Sequence, residues 1–380
     1  MTDTSGHLWL REFAAAAERT DKFVGSPDHV PLLAAGLIGE AGSVIAELKK
    51  ERRELNAYPM YRNRMLEEIG DFLWYYVRIL SVVAPDLLDE LQGIDPPVEN
   101  ASPGPRLPAF LQFGGAVGDV LHRLHGTPVV DRHETDRLLR RIWGLLVVVS
   151  REHAVQLHEA AAANAQKTAS RWPQDRRYRG LFDEGCPEEE QLPRLLQIDF
   201  KERSRGVQKA VILRCNGINF GDRLTDNIQD PDGYRYHDIF HFAHAVHLGW
   251  SPVIRALLRC KRKSMPAVDE AQDGARAGII EEAVAAIVFS RAKQLGFFEG
   301  RDRVDFDLLK TVKEFVDGFE VADVPLWQWE TAILDGYRVF RLLRNGPGGR
   351  VTLDLHQRRL TFAPFGESLD AAADAASGGK

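Results

Sequence analysis

Apolar residues recur at spacings of three and four along most of the chain, the period expected of helices that bury one face. In the first half this pattern predicts five helices, over 8–20, 31–54, 62–83, 109–125 and 134–171. The last is predicted to break near Ser150, and Pro85 and Pro173 follow helices that they would terminate. The first half is therefore predicted to be a bundle of four or five helices.

The second half continues the helical period and adds a short alternating pattern. Its predicted helices cover 236–248, 252–259, 275–295, 306–319 and 327–343. Alternation over 351–355 and 359–362 around a polar turn predicts a small β-hairpin. The run 210–213 has strand character. The expected fold class is all-α, with two helical-bundle domains and a small hairpin near the C-terminus.

A chain of 380 residues is too long for one ordinary core, so two domains are expected. The segment 174–195 is polar, acidic and proline-bearing, which suggests a linker. The predicted domains are therefore 1–173 and 196–366. We expect a surface loop over 95–108 and a disordered Ala/Gly/Asp-rich tail over 367–380.

Composition narrows the class of partner. The 49 Lys and Arg residues and 55 Asp and Glu residues leave a net charge of −6, which argues against nucleic acid as a general partner. The three cysteines have no metal-binding or paired spacing, so a reducing cytoplasmic location is expected. No apolar run approaches the ~18 residues that span a bilayer, so no membrane partner is expected.

Three acids in the first half are predicted to converge. Glu68 and Asp71 are three residues apart and share one helix face. Glu40, on the preceding helix, lies between Gly39 and Gly42, which we expect to permit a close helix crossing. The short connection makes the two helices antiparallel neighbours, so Glu40 should face the other two acids. Converging carboxylates require a hard cation, and Mg²⁺ or Mn²⁺ is the natural occupant. Solvated surface acids are the alternative.

These residues also carry a family resemblance. The stretches GLIGEAGS, from Gly36, and EEIGDFLWY, from Glu67, resemble the paired acidic helices of MazG-like and dCTPase-like all-α nucleoside triphosphate pyrophosphatases. The segment from Asn164 to Pro173 resembles the Asn-x-x-Lys and Arg-Trp-Pro elements that close such domains. Together the matches cover about residues 8–173.

The resemblance implies an enzyme that acts on phosphoric anhydrides, hydrolysing nucleoside triphosphates to monophosphate and pyrophosphate. It implies that Mg²⁺ is held by the three catalytic acids Glu40, Glu68 and Asp71. It also implies that Asn164 and Lys167 lie near the nucleotide, and we expect these two residues and Arg171 to contact its phosphates or base. Family members build this site within dimers or tetramers, so a homo-oligomer is expected.

One position departs from the family pattern. The second acid of the first pair falls on Ser43, whose hydroxyl is a poor substitute for a carboxylate. Glu47 has nearly the azimuth of Glu40 but lies ~10 Å further along the axis. Two possibilities follow: a weakened metal site, or a degenerate domain kept for nucleotide sensing or dimerisation.

The second half holds another cluster. His237, Asp238 and His241 can share one helix face, and Glu282 follows about forty residues later. Imidazole with carboxylate suits Mn²⁺, Fe²⁺ or Zn²⁺, so this is a possible second metal site. Hydrogen-bonded core histidines are the alternative. A basic cluster over 259–263 could meet phosphates.

The second half resembles the C-terminal domains appended to some MazG-like proteins. The adjacent His237 and Asp238 resemble, in two residues only, the metal phosphohydrolases named for a His-Asp pair. The alternative function is therefore a degenerate MazG-like nucleotide sensor or dimerisation module in the first half. Activity would then lie at a separate His-Asp metal phosphohydrolase site in the second half.

Overall fold

The computed structural model describes residues 9–91, 106–124, 132–206 and 208–365. The described residues are mostly helical and form two compact units that divide between Asp175 and Arg176. The predicted tail over 367–380 lies outside the described residues, as does most of the loop predicted over 95–108.

The first unit is built from helices alone in the part that the structure describes. They are α1 (Trp9–Thr20), α2 (His29–Glu54), α3 (Tyr61–Val83), α4 (Pro85–Leu91), α5 (Arg106–Leu124), α6 (Arg132–Glu152) and α7 (Leu157–Arg171). Each predicted helix is present, and the predicted break near Ser150 separates α6 from α7. Periodicity located these helices because each buries an apolar stripe against the shared core.

Helix α3 is central to this unit. It packs against α1, α2 and α7, and most of its residues from Ile69 to Leu80 are buried. The Phe72 ring lies 4.9 Å from that of Phe113 on α5. A helix enclosed on several sides can carry polar groups only where a neighbour supplies partners. The acids of α3 therefore have positions that are set by packing.

A glycine on α3 permits the closest approach to α7. A Cβ atom at Gly70 would lie 2.6 Å from the backbone oxygen of Ala160 and 3.1 Å from the Asn164 Cβ atom. No side chain fits there unless the helices separate. Gly70 precedes Asp71, so the same contact brings α7 next to that carboxylate.

The approach of α2 to α3 also depends on a glycine, although not on the two that were expected. A Cβ atom at Gly36 would lie 2.1 Å from the ring of Tyr75 on α3. Gly39 and Gly42 instead have nothing within 4 Å of such an atom. The prediction that these two glycines permit the crossing is therefore wrong, because they lie on an exposed face of α2.

The stretch His29–Ala57, which includes α2, is the one described helical segment long and apolar enough to cross a membrane. That property concerns length and composition only, and 28% of its apolar window is buried in the unit. Leu33, Leu37, Val44 and Leu48 form the buried side. Helices of this length and composition also occur in the cores of proteins that never enter a bilayer, so the property alone does not assign a membrane span.

The second unit combines helices with an antiparallel sheet. Its strands are β1 (Leu195–Arg205), β2 (Gln208–Cys215), β3 (Ile218–Leu224), β4 (Gly348–Asp354) and β5 (Arg359–Ala363), in the order β3-β2-β1-β4-β5. Its helices are α8 (Asp238–Leu248), α9 (Pro252–Leu258), α10 (Pro266–Gln272), α11 (Ala275–Gln294), α12 (Phe306–Phe315) and α13 (Leu326–Asn345). Helices α8 and α13 pack together and against β4 and β5.

The prediction of a small β-hairpin is wrong in its extent, because the two strands belong to a larger sheet. Strands β4 and β5 do pair as predicted, but they form one edge of a five-stranded sheet, so the second unit is not all-α. Strand β1 lies in the middle and pairs with both β2 and β4, placing Ile198 opposite Cys215 and Val351. Local alternation cannot reveal that pairing, because β1 and β4 are about 150 residues apart in the sequence.

The segment predicted as a linker over 174–195 belongs largely to the second unit. Leu192 is buried there, and the fully buried Asp183 accepts a hydrogen bond of 2.7 Å from the Leu192 backbone nitrogen. Arg255 on α9 donates to the same carboxylate at 2.7 Å. These contacts anchor the segment to the helices of its own unit.

We expect Gly70→Ala to destabilise the first unit by about 1–3 kcal/mol, because the added methyl group would meet the backbone of α7. Gly144→Ala on α6 is the matched control, since a Cβ atom there meets nothing within 4 Å. The control should be neutral or slightly stabilising, by up to about 1 kcal/mol, as alanine favours helix. Urea denaturation of both variants checks this; equal stabilities would contradict it.

Candidate functional site

Three carboxylates meet where α2 contacts α3. One oxygen each from Glu40, Glu68 and Asp71 lies within 4.8 Å of the others. The i, i+3 spacing places Glu68 and Asp71 on one face of α3, and the packing of α2 turns Glu40 toward them. All three side chains are half-buried. The structure therefore brings together the three acids that the sequence predicted to converge.

The acids of this cluster are half-buried and lie close to one another. Burial, followed by the charges of Asp71 and Glu68, raises the pKa of Glu40 from 4.5 to about 7. Burial also raises the pKa of Asp71, although the Lys167 ammonium opposes that shift. Carboxylates in this condition favour a proton or a cation. The site therefore has the electrostatics of a cation-binding site.

Two residues of α7 contact Asp71 directly. The Asn164 amide nitrogen donates to it at 2.6 Å, and the Lys167 ammonium donates to both of its oxygens, to one of them at 2.6 Å. Lys167 also lies 3.6 Å from a Glu67 oxygen. The amide oxygen of Asn164 is buried and has no hydrogen-bond partner among the described residues. These residues, predicted near the nucleotide, thus also orient and neutralise a predicted metal ligand.

Arg171 lies near the end of α7, beside an aromatic ring. Its guanidinium carbon is 4.9 Å from the centre of the Trp172 ring, and the Lys22 ammonium is 5.8 Å from that centre. The structure therefore places Arg171 in a contact with Trp172, one turn beyond Lys167. Two cations beside a half-buried indole suit an anionic or aromatic ligand.

Position 43, where the resemblance predicts an acid and the chain has serine, lies one turn after Glu40. Ser43 is half-buried at that position. Glu47, considered as a substitute, is 2% exposed and accepts hydrogen bonds from Tyr58 and Lys50. Its carboxylate is engaged by these two donors, so it stabilises the end of α2 instead of supplying a spare ligand.

The second unit holds a separate cluster on α8, the turn before it, and α11. The His237 Nε2 atom lies 3.1 Å from an Asp238 oxygen. His241 lies 3.1 Å from Glu281 through Nδ1 and 3.4 Å from Glu282 through Nε2. The structure therefore brings His241 together with Glu282, as predicted, and adds Glu281, which was not singled out.

Glu281 is the buried acceptor at the base of this cluster. Its side chain is fully buried and accepts from Ser251 Oγ at 2.9 Å, the Val253 backbone nitrogen at 3.0 Å and His244 Nδ1 at 3.0 Å. Burial opposes ionisation, but His241 and His244 outweigh it and lower the pKa of Glu281 to about 2. The sequence signal that could have located it is its spacing of four residues from both Ala277 and Ala285, which places it on the apolar face of α11.

A comparison with protein-family models matches the MazG C-terminal domain over residues 177–366, half of the chain. The chain belongs to that family. The match begins beside the division between the two units and spans the described part of the second one. No curated protein and no solved structure matches the chain.

Within the MazG C-terminal domain, the basic cluster over 259–263 does not form the predicted phosphate site as a whole. Arg262 is 1% exposed and bonds to Asp273 at 2.7 Å and to Glu320 at 2.7 Å. Its guanidinium is satisfied by carboxylates within the fold. Arg262 therefore joins the helices of this domain, and its charge is not available to a phosphate group.

The raised pKa of Glu40 predicts how stability depends on pH. The folded chain holds this proton up to about pH 7, whereas the ordinary value is 4.5, so without metal the stability falls as pH rises through that window. Glu40→Gln should lessen that fall. Melting temperatures of both proteins in chelator, from about pH 5 to pH 7.5, measure the difference. Identical pH profiles would show that Glu40 does not carry the effect.

Proposed function

We propose that this MazG-related chain is a nucleoside triphosphate pyrophosphohydrolase. Glu40, Glu68 and Asp71 would hold Mg²⁺ or Mn²⁺, and the products would be nucleoside monophosphate and pyrophosphate. The observation that carries the proposal is the convergence of three carboxylate oxygens within 4.8 Å on two packed helices. The MazG C-terminal domain match supports a nucleotide-related activity at the coarser level.

The residues present fit a hard divalent cation. The donor set consists of oxygen atoms alone, which is the preference of Mg²⁺ and Mn²⁺. Burial, followed by the charges of Asp71 and Glu68, raises the pKa of Glu40, and a bound cation would offset these effects by stabilising the ionised carboxylate. When bound, such an ion polarises phosphate oxygens and acidifies a water molecule.

The chain's own residues would position this chemistry. Asn164 holds one oxygen of Asp71 by a charge-assisted hydrogen bond, which sets the orientation of the carboxylate. Lys167 neutralises the same carboxylate, and a triphosphate would compete for its ammonium group. We propose that Lys167 contacts phosphate when substrate is bound and Asp71 when it is not. Arg171 beside Trp172 would contact the nucleotide.

The second candidate function rests on Ser43 and on the cluster in the second unit. A site with one carboxylate fewer than the family pattern binds metal more weakly, and the first unit would then serve nucleotide sensing or dimerisation. Hydrolysis would belong to the residues around Asp238. The homo-oligomeric state and cytoplasmic location expected from the sequence stay predictions under either function.

We expect Glu40→Gln, Glu68→Gln and Asp71→Asn each to lower pyrophosphate release by at least about 100-fold, because each removes a charged ligand. The measurement is a nucleotide panel with Mg²⁺ or Mn²⁺, with products resolved by ion-exchange chromatography. Glu12→Gln, an exposed acid on α1, is the matched control and should keep full activity.

The same assay separates the two functions. Loss of activity in Asp238→Asn with full turnover in Glu40→Gln would reverse the assignment in favour of the second unit. Stepwise release of inorganic phosphate in place of pyrophosphate would contradict the proposed reaction.

Restoring the missing acid provides a gain-of-function prediction. Ser43→Glu should tighten Mg²⁺ binding about three- to tenfold, since affinity rises with the number of charged ligands. In chelator the same variant should melt below the wild type, because a fourth carboxylate adds repulsion. Ser43→Gln is the control of equal size without charge. If both variants bind Mg²⁺ as the wild type does, position 43 does not face the ion.

A further inference from the structure

The second unit contains a three-ligand group that the proposed pyrophosphatase does not use. One ligand atom each from His237, His241 and Glu282 lies within 4.8 Å of the others. His237 ends the turn before α8, His241 lies one turn into α8, and Glu282 comes from α11. Contact between the two helices thus assembles the group.

The ring of His237 is held in one orientation. Its Nδ1 atom lies 2.9 Å from the Tyr234 carbonyl oxygen, which can only accept, so Nδ1 carries the hydrogen. The ring also stacks on that of Tyr234, with centres 4.4 Å apart. The Nε2 atom is then directed toward the Asp238 carboxylate at 3.1 Å. Because Nδ1 is used by the carbonyl, Nε2 is the ring nitrogen that remains to contact an ion or a proton beside the carboxylate.

His241 is the buried member of the group. It is 0% exposed, and both ring nitrogens lack a partner with hydrogen-bond geometry among the described residues. Yet Nδ1 lies 3.1 Å from a Glu281 oxygen and Nε2 lies 3.4 Å from a Glu282 oxygen. His241 is therefore a fully buried imidazole whose two nitrogens face carboxylates without hydrogen-bond geometry, and it is directed into the cluster.

Both histidines therefore share one arrangement. The Nδ1 atom faces an oxygen of the surrounding structure, a carbonyl for His237 and the Glu281 carboxylate for His241. The Nε2 atom faces a second carboxylate, that of Asp238 for His237 and that of Glu282 for His241. Histidines that ligate metals are oriented in this way by an acceptor on the second nitrogen. Glu281 is itself held by Ser251 and Val253, so the orienting carboxylate is rigid.

The group also has an entrance. The Glu282 side chain is 46% exposed, whereas His241 is fully buried, so an ion could enter at Glu282 and keep an open coordination position there. Two imidazoles with carboxylates suit a transition-metal ion better than Mg²⁺. We propose that the MazG C-terminal domain of this chain binds one Mn²⁺, Fe²⁺, Co²⁺ or Zn²⁺ ion through His237, His241 and Glu282, with Glu281 orienting His241.

Cobalt binding by the full chain tests this site apart from the first unit. The background is the full chain carrying Glu40→Gln and Glu68→Gln, which removes two carboxylate ligands from the site of the first unit. The assay measures metal binding and not turnover, so the loss of activity in this variant does not affect it. After chelation and dialysis, Co²⁺ is titrated and the bound ion is counted by elemental analysis. We expect about one Co²⁺ per chain, with visible absorption typical of nitrogen and oxygen ligands. Zn²⁺ should displace it, and excess Mg²⁺ should not.

Two substitutions near the entrance locate the ion. In the same background, Glu282→Gln and His237→Gln should each weaken Co²⁺ binding at least about tenfold. Glu299→Gln, an exposed acid in the same unit, is the matched control and should bind as its parent does. Circular dichroism confirms that each variant is folded, and fully buried His241 is left intact for that reason.

The competing explanation is a structural ion-pair cluster in which protons occupy the centre. It predicts no stoichiometric Co²⁺ uptake by the folded chain, and that result would overturn the proposal. Binding that survives in both Glu282→Gln and His237→Gln would overturn it equally, since the ion would lie elsewhere.

Discussion

The candidate site of the first unit depends on helix packing that holds three mutually repelling acids, Glu40, Glu68 and Asp71, close together. Packing of α3 against α2 and α7 overcomes that repulsion because two glycines, Gly36 and Gly70, permit distances that no side chain would allow. Gly70 and Phe72, the neighbours of Asp71 on α3, are both buried. The charges therefore cannot separate without opening the core, and they relax only by binding protons, Lys167 or a cation.

Each unit brings carboxylates close together inside the fold, but the other groups that surround these carboxylates differ between the units. The first offers carboxylates alone, with an amine and an amide from α7 as partners. The second offers imidazoles and carboxylates, oriented by a buried glutamate and a backbone carbonyl. Oxygen-only sites favour hard ions, whereas imidazole favours transition metals, so the proposed ions differ between the units.

Helix positions were predictable in the first unit because each helix has its own apolar stripe and short connections limit the packing. The pairing of Glu40 with Glu68 and Asp71 followed from the spacing and the short link between α2 and α3. The role of the glycines was mistaken, since a glycine beside an acid looks the same in sequence whether it faces a helix or solvent. Gly36 and Gly70 are distinguished only by Tyr75 and Ala160, which pack against them.

The sequence by itself determined the helical period, the acids and histidines available, and their spacing along each helix, because these depend on residues within one or two turns. Tertiary structure decided which residues meet across elements. It joined β1 to β4 across about 150 residues, enclosed Arg262 among carboxylates, and placed Glu281 beneath His241. These contacts depend on long-range packing and burial, which no local pattern encodes.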